Sequence, residues 1–267
     1  MGKRTYRTME QPLRVCLIGS GNVATHLGTA LSQVAKVVQI YSHSLQNATA
    51  LAEQCGCESV TDSLSMITAD ADLYLVSVKD DAIASVVEST PQAQGGVWAH
   101  TSGSVSMTVF AGYKERYGVF YPLQTFSKDL KIKVREVPIF IEGYDAPTTD
   151  FLLRLARRIS DNVTEADSTL RKKLHVAAVF ACNFVNLMWI EADELLKESG
   201  LGIEFLRPLL KETLGKLDRV SPADAQTGPA CRGDRHVIDE HLNMLSDEKR
   251  ELYSMLSEII IKRYINE

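Results

Sequence analysis

Short apolar runs alternate with helical patterns through residues 13–159, and this alternation constrains the fold more than any other feature. Leu13-Arg14-Val15-Cys16-Leu17-Ile18 is an apolar run that ends at Gly19. From Asn22 onward, Val23, Leu27, Ala30, Leu31 and Val34 recur on one helical face. Residues 37–41 read as a second strand. Residues 45–54 read as a second helix, with Ser44 as its N-cap and Gly56 as its stop. A third strand follows at 73–78, then a helix from Asp80 or Asp81 to Glu88, and a strand at 97–100. Residues 119–121 and 137–141 are further strand candidates, and 150–159 a helix. Strands that alternate with helices build parallel βαβ units, with helices covering both faces of the sheet.

Beyond Thr164 the texture changes. Long helical patterns run over 168–199, 203–217 and 247–265, with no convincing strand. The sequence therefore predicts three parts: an extension over 1–12, an α/β parallel-sheet domain over 13–163 and an all-α domain over 164–267.

Gly19-Ser20-Gly21-Asn22-Val23-Ala24 fits G-x-G-x-x-A. The motif alone is weak, but here it follows a buried strand and opens a helix, the context that gives it meaning. Gly19 permits the tight turn, Gly21 lets the backbone approach a pyrophosphate, and Ala24 lets the helix pack closely on the strand. The free amides and the positive helix end then face an anion. The first domain is thus expected to be a Rossmann-like dinucleotide-binding domain.

The end of the second strand selects the dinucleotide. An NAD binder usually carries Asp or Glu there, bonded to the ribose 2′-hydroxyl. This chain has Tyr41-Ser42-His43-Ser44 and no acid. Two hydroxyls and an imidazole suit a 2′-phosphate, so NADP is expected over NAD. Ligands in such sheets bind beyond the carboxyl ends of the strands, which adds Ser77, Val78, Lys79, Thr101 and Ser102 as cofactor contacts.

Composition excludes other classes. The net charge is -5 over 267 residues, and the pI of about 5.7 lacks the basic excess of a nucleic-acid binder. The cysteines are five, an odd number without ligand spacing. They are expected to be reduced thiols of a cytoplasmic protein, with no metal site. The basic, polar first dozen residues lack the apolar core of an export signal. The apolar run 174–190 is broken by His175, Asn183 and Asn186. It reads as a buried core helix, too short for a membrane span.

Several segments together resemble one family: GSGNVATHLG at 19–28, SVKDDAI at 77–83, HTSGS at 100–104, YPLQTFS at 121–127, LHVAAVFACNFVNLMW at 174–189 and TGPACRGD at 227–234. The chain is similar nearly end to end to Rossmann proteins related to pyrroline-5-carboxylate reductase and deazaflavin-dependent NADP reductase, whose C-terminal helical part is a domain of unknown function. The resemblance implies an NADP oxidoreductase, a cofactor cleft between two domains and a homodimer formed through the helical domain. It names no substrate. The chain departs from that family in carrying His43 where arginine is expected.

Candidate catalytic groups follow from residue chemistry. His100 ends a strand ahead of a Ser-Gly loop and is a candidate general acid. His175, Val179, Asn183 and Asn186, spaced four, four and three apart, share one helical face; buried polar groups there need partners or a cleft. His175 is a second proton donor and Asn183 a substrate-orienting group. Arg232, held between Gly and Pro residues, suits a carboxylate, so a small, acidic substrate is expected. Tyr121 and Gln124 follow a strand end and could also face the cleft. Transfer of hydride to or from a C=N or C=O compound is the leading reading. The alternative is a dinucleotide-binding sensor that performs no chemistry.

Overall fold

The computed structural model describes residues 12–90 and 95–265; apart from Pro12, the expected N-terminal extension lies outside them. The chain divides into two compact units, Met1–Cys182 and Asn183–Glu267.

The first unit is built on an eight-stranded sheet: β1 Arg14–Ile18, β2 Lys36–Tyr41, β3 Val60–Thr61, β4 Leu73–Val76, β5 Val97–His100, β6 Tyr117–Pro122, β7 Ile139–Gly143 and β8 Val163–Glu165. The order is β3-β2-β1-β4-β5-β6-β7-β8. Helices α1 Asn22–Ser32, α2 Leu45–Cys55, α3 Ile83–Glu88 and α4 Ala146–Ile159 connect the strands.

The central strands are apolar between their ends, with Arg14 opening β1 and His100 closing β5, because both sheet faces are covered. Successive side chains point to opposite faces. Val15, Leu17, Leu73, Leu75, Val97 and Ala99 therefore pack with α1, α2 and α4. Cys16, Ile18, Tyr74, Val76 and Trp98 pack with α3 and Phe110 on the other face. Tyr74 and Trp98 stack there, with ring centroids 4.6 Å apart.

Two features depart from the sequence reading. β7 runs antiparallel to β6, because residues 123–138 hold only the 3-10 turn Val134–Glu136 and no crossover helix. The expected boundary at 163/164 falls inside β8, which pairs with β7 and extends the sheet.

Helix α5 Ser168–Ala178 starts from Asp167, whose carboxylate accepts from Leu170 N at 2.7 Å. A π turn, Val179–Phe184, and α6 Val185–Lys197 continue it. The whole 30-residue run is long and apolar enough to cross a membrane by length and composition, and none of its most apolar window is buried. The expectation of a buried core helix over 174–190 is therefore corrected: α6 has no buried residue.

In the second unit, α7 Arg207–Lys216, α8 Pro229–Arg232, α9 Arg235–Met244 and α10 Asp247–Tyr264 follow α6. Its core is small, with Ala230, Ile238 and Ile261 supported by Leu242, Tyr253 and Ile260. Lys249 of α10 bonds Glu194 at 2.7 Å and also Glu191, both on α6.

Candidate functional site

The turn after β1 is shaped for close approach. Gly19 has φ +122°, and a Cβ on it would stand 2.5 Å from the Ser77 carbonyl oxygen. Only glycine meets both conditions. Gly19 N donates to Tyr41 O and Ser77 N to Ile18 O, each at 2.8 Å, so the turn is fixed between β2 and β4. Gly21 is the N-cap of α1. No side chain caps this helix, and its first turn holds no acid. A Cβ on Gly21 would meet nothing within 4 Å. An uncapped helix start leaves amide donors and a positive dipole end facing open space, which is an anion site.

The other predicted turn residues divide. Ala24 is fully buried against the sheet. Val23 is partly buried against the same core. Ser20 Oγ donates to Ser42 Oγ at 2.7 Å and is buried. Asn22 Nδ2 donates to Phe126 O at 2.9 Å, and His26 Nε2 pairs with Ser127 O at 2.8 Å. The side chains of Ser20 and Asn22 thus brace the turn, and its backbone is what faces outward. The sequence reading missed Gly28, where a Cβ would stand 2.6 Å from Leu17 Cδ1; the spacing of a glycine one helical turn beyond Ala24 was the available signal.

At the end of β2, the Ser42 hydroxyl accepts from Ser20 and from Ser44 N. Ser44 Oγ accepts from Asn47 N and caps α2. In these bonds both hydroxyls act as acceptors, so each keeps its own proton to donate to an anion; His43 is exposed. Beyond β4, Thr101 Oγ1 donates to Ser77 Oγ at 3.3 Å. Val78 is half-buried, and Lys79 stands exposed at the start of a 3-10 turn. The Ser102 hydroxyl donates to Asp80 Oδ2 at 2.8 Å and accepts from Ser104 N and Val105 N, so it braces its own loop.

The burial of His100 speaks against its expected role as a general acid. Its side chain is completely buried and stacks on Phe110 at 5.7 Å, and its Nδ1 accepts from Ser102 N at 3.2 Å. Burial, aided by the Arg171 charge and opposed by a backbone bond at Ser106, lowers its pKa to about 3. The ring is neutral near pH 7.

The polar centre of this unit lies one strand over. Tyr121 Oη and His175 Nδ1 are 3.2 Å apart, with the rings edge to face. Gly103 lies against both, since a Cβ on it would be 2.8 Å from His175 Nδ1 and 2.9 Å from Tyr121 Cζ. Arg171, one helical turn before His175, is fully buried and bonds Glu142 at 2.8 Å. Its guanidinium also donates to the carbonyls of Ser102, Gly103 and Val105. The sequence reading did not find Arg171 or Glu142, because nothing local marks a charge whose partners lie on a distant strand and loop.

The remaining candidates lie in the second unit. Asn183 sits exposed in the π turn, where i to i+5 bonding breaks the register that placed it on one face with His175. Arg232 ends α8 and is exposed, followed by Gly233 in the left-handed region. Among the described residues, no group of three His, Cys, Asp or Glu residues is arranged to hold a metal.

The first unit carries the parallel strands, crossover helices and open glycine turn that define a Rossmann-like protein. Residues 3–124 match a Rossmann-like domain, and residues 137–260 match a domain of unknown function, DUF2520. No curated protein matches the chain. A candidate NADP oxidoreductase from Bacteroides fragilis is 40% identical, covers 96% of this chain and 100% of its own, and superposes with a TM-score of 0.90. The chain belongs to the family of that protein. A reductive aminase from Aspergillus terreus in complex with NADPH and ethyl-5-oxohexanoate is 17% identical, with 95% of each chain covered and a TM-score of 0.67. An imine reductase from a Pseudomonas species is 18% identical, with 93% of this chain and 88% of its own covered and a TM-score of 0.61. These last two share the fold.

Proposed function

We propose that this protein is an NADP-dependent oxidoreductase that transfers hydride to or from a small C=N or C=O compound. The observation that carries the proposal is the uncapped start of α1 at Gly21, open where a pyrophosphate would lie. The residues fit the dinucleotide: the amides of residues 22–24 would receive the diphosphate, and no carboxylate at the end of β2 opposes a 2′-phosphate. The description of the Bacteroides fragilis relative as a candidate NADP oxidoreductase supports the same cofactor, as does the NADPH held by the Aspergillus terreus reductive aminase. When bound, the nicotinamide supplies the hydride; the protein supplies position, charge and a proton. Lys79 and His43, both exposed at strand ends, are the side chains we assign to the phosphates, and Arg232 to an acidic group on the substrate.

We assign the protein to the cytoplasm, in keeping with its five free cysteines, and its helical part, from Ser168 onward, to homodimer formation. Phe184, Leu187, Trp189 and Ile190, with Phe205, Leu209 and Leu214, leave an apolar surface that a second copy would cover. Titration with NADPH and NADH, followed by cofactor fluorescence, tests the proposal. Saturable NADPH binding at least about 10-fold tighter than NADH is expected, a difference of ~1.4 kcal/mol. Failure of both cofactors to bind overturns it.

A further inference from the structure

We propose that Tyr121 is the group that hands a proton to the substrate, and that His175 stands behind it to resupply that proton. The assignment rests on the oxidoreductase reading above and names the acid that reading requires.

Placement comes first. β1, β4, β5 and β6 run parallel, so the end of β6 at Tyr121 lies along the same sheet edge as the Gly19 turn. In a sheet of this order the two halves of a dinucleotide spread to either side of the first strand. The adenosine side is the β2 side, which leaves the β4–β6 side for the nicotinamide half. Tyr121 therefore stands on the side where hydride leaves the cofactor.

Construction comes second. The pair is held at 3.2 Å by a residue that has no side chain: any Cβ at Gly103 would intrude on both rings. Gly103 is in turn fixed by Arg171, whose guanidinium grips the carbonyls on either side of it. A glycine forced by contact with two polar rings, on a loop tied down by a buried ion pair, is more than packing needs. Two apolar side chains would fill the same space without a buried charge.

Chemistry comes third. Tyr121 is only 7% exposed. Burial raises its phenol above the ordinary value, with Arg171 opposing that and Asp80 adding to it. The phenol therefore keeps its proton until a substrate draws it away. His175 is half-buried. The balance is simple. A reduced nicotinamide bound at this edge would supply hydride, two electrons and one hydrogen, to the substrate carbon. The Tyr121 O–H bond breaks and its proton goes to the substrate nitrogen or oxygen, so C=X becomes CH–XH. The phenolate then takes a proton from His175 Nδ1 as the ring takes one from solvent at Nε2, so both groups return to their starting state. The charged groups facing the pair are Arg171 from α5 and Asp80 from the turn after β4.

The test uses the full-length protein with 2-methyl-1-pyrroline as a C=N probe and pyruvate as a C=O probe, following NADPH oxidation. Tyr121→Phe is expected to lower kcat about 100-fold, the scale of general-acid catalysis, with NADPH affinity changed less than about 2-fold. His175→Asn keeps a hydrogen-bonding group near the phenol but cannot relay a proton. It should lower kcat about 10-fold or more, with the KM for either probe changed less than about 2-fold, and added imidazole should restore part of the loss. Gly103→Ala should reproduce the Tyr121→Phe loss by parting the pair. A Tyr121→Phe enzyme with kcat within 3-fold of wild type (roughly the scatter expected of a change outside the proton path) overturns the assignment. So does a His175→Asn enzyme whose kcat stays within about 3-fold of wild type, or one whose loss added imidazole leaves unchanged. Wild-type protein that binds NADPH but reduces neither probe also overturns it while leaving the cofactor reading standing; loss of NADPH binding itself would strike that reading instead.

Discussion

Arg171 of α5 and Glu142 of β7 meet at 2.8 Å with the guanidinium wholly buried. Glu142 also accepts from the Ser168 amide and hydroxyl, so one carboxylate ties the start of α5 to the sheet. Removing one member of a buried pair leaves the other charge uncompensated. Arg171→Met should destabilise the protein by about 3–5 kcal/mol in urea titrations. Arg171→Met with Glu142→Leu should regain part of that loss, because neither charge then remains. A single variant as stable as wild type would show that the pair contributes nothing.

The two turn glycines should separate folding from binding. Gly19→Ala meets the Ser77 carbonyl and a positive φ, at a cost of about 1–3 kcal/mol. A lower melting temperature is expected, together with weakened NADPH binding. Gly21→Val points into open space. It should lower the melting temperature by about 2–4 °C, the cost of a poorer N-cap, while NADPH binding falls at least about 10-fold, the loss of ~1.4 kcal/mol. Undiminished binding in Gly21→Val would place the diphosphate elsewhere.

His43 is the exposed side chain at the end of β2. An arginine there would offer a fork to a 2′-phosphate, and charge-assisted bonds of this kind contribute about 1.5–3 kcal/mol. His43→Arg should therefore tighten NADPH binding about 10-fold or more and leave NADH binding nearly unchanged. Equal effects on both cofactors would show that this loop misses the 2′-phosphate.

His100 should appear in stability rather than in the activity profile. Its folded pKa of about 3 lies below the ordinary value near 6.5. Between these values the unfolded chain binds the extra proton, so stability rises with pH. It is fully present above about 6.5 and is lost as pH falls toward 3. From pH 7 to 4.5 the loss assigned to this residue is on the order of 2 kcal/mol. His100→Asn, which retains an acceptor for Ser102 N, should lose less stability over that range. Parallel stability curves for the two proteins would refute the assignment.

The apolar surface of the second unit predicts self-association. Trp189 and Leu187 on α6 are each 43% exposed. Sedimentation of the wild type should show a dimer, and Leu187→Glu with Trp189→Glu should shift it to monomer without unfolding the first unit. A wild type that sediments as a monomer at micromolar concentration would exclude the homodimer.

The first strands and the glycine turn were legible in the sequence because their signals are local. A strand buried on both faces must be apolar throughout, and a turn at positive φ against a neighbouring carbonyl must be glycine. The same local logic placed Ser44 as a helix cap. Only the tertiary structure decided which polar residues meet. His100 and His175 are both histidines in apolar stretches of sequence, and nothing local tells them apart. Yet one is sealed under Phe110, and the other is brought to Tyr121 by a strand and a helix far apart in the chain. The antiparallel turn of β7, the burial of Arg171 on Glu142 and the exposure of α6 are likewise set by distant partners. Desolvation and hydrogen-bond pairing depend on what surrounds a group in space, and neighbours in sequence do not specify that.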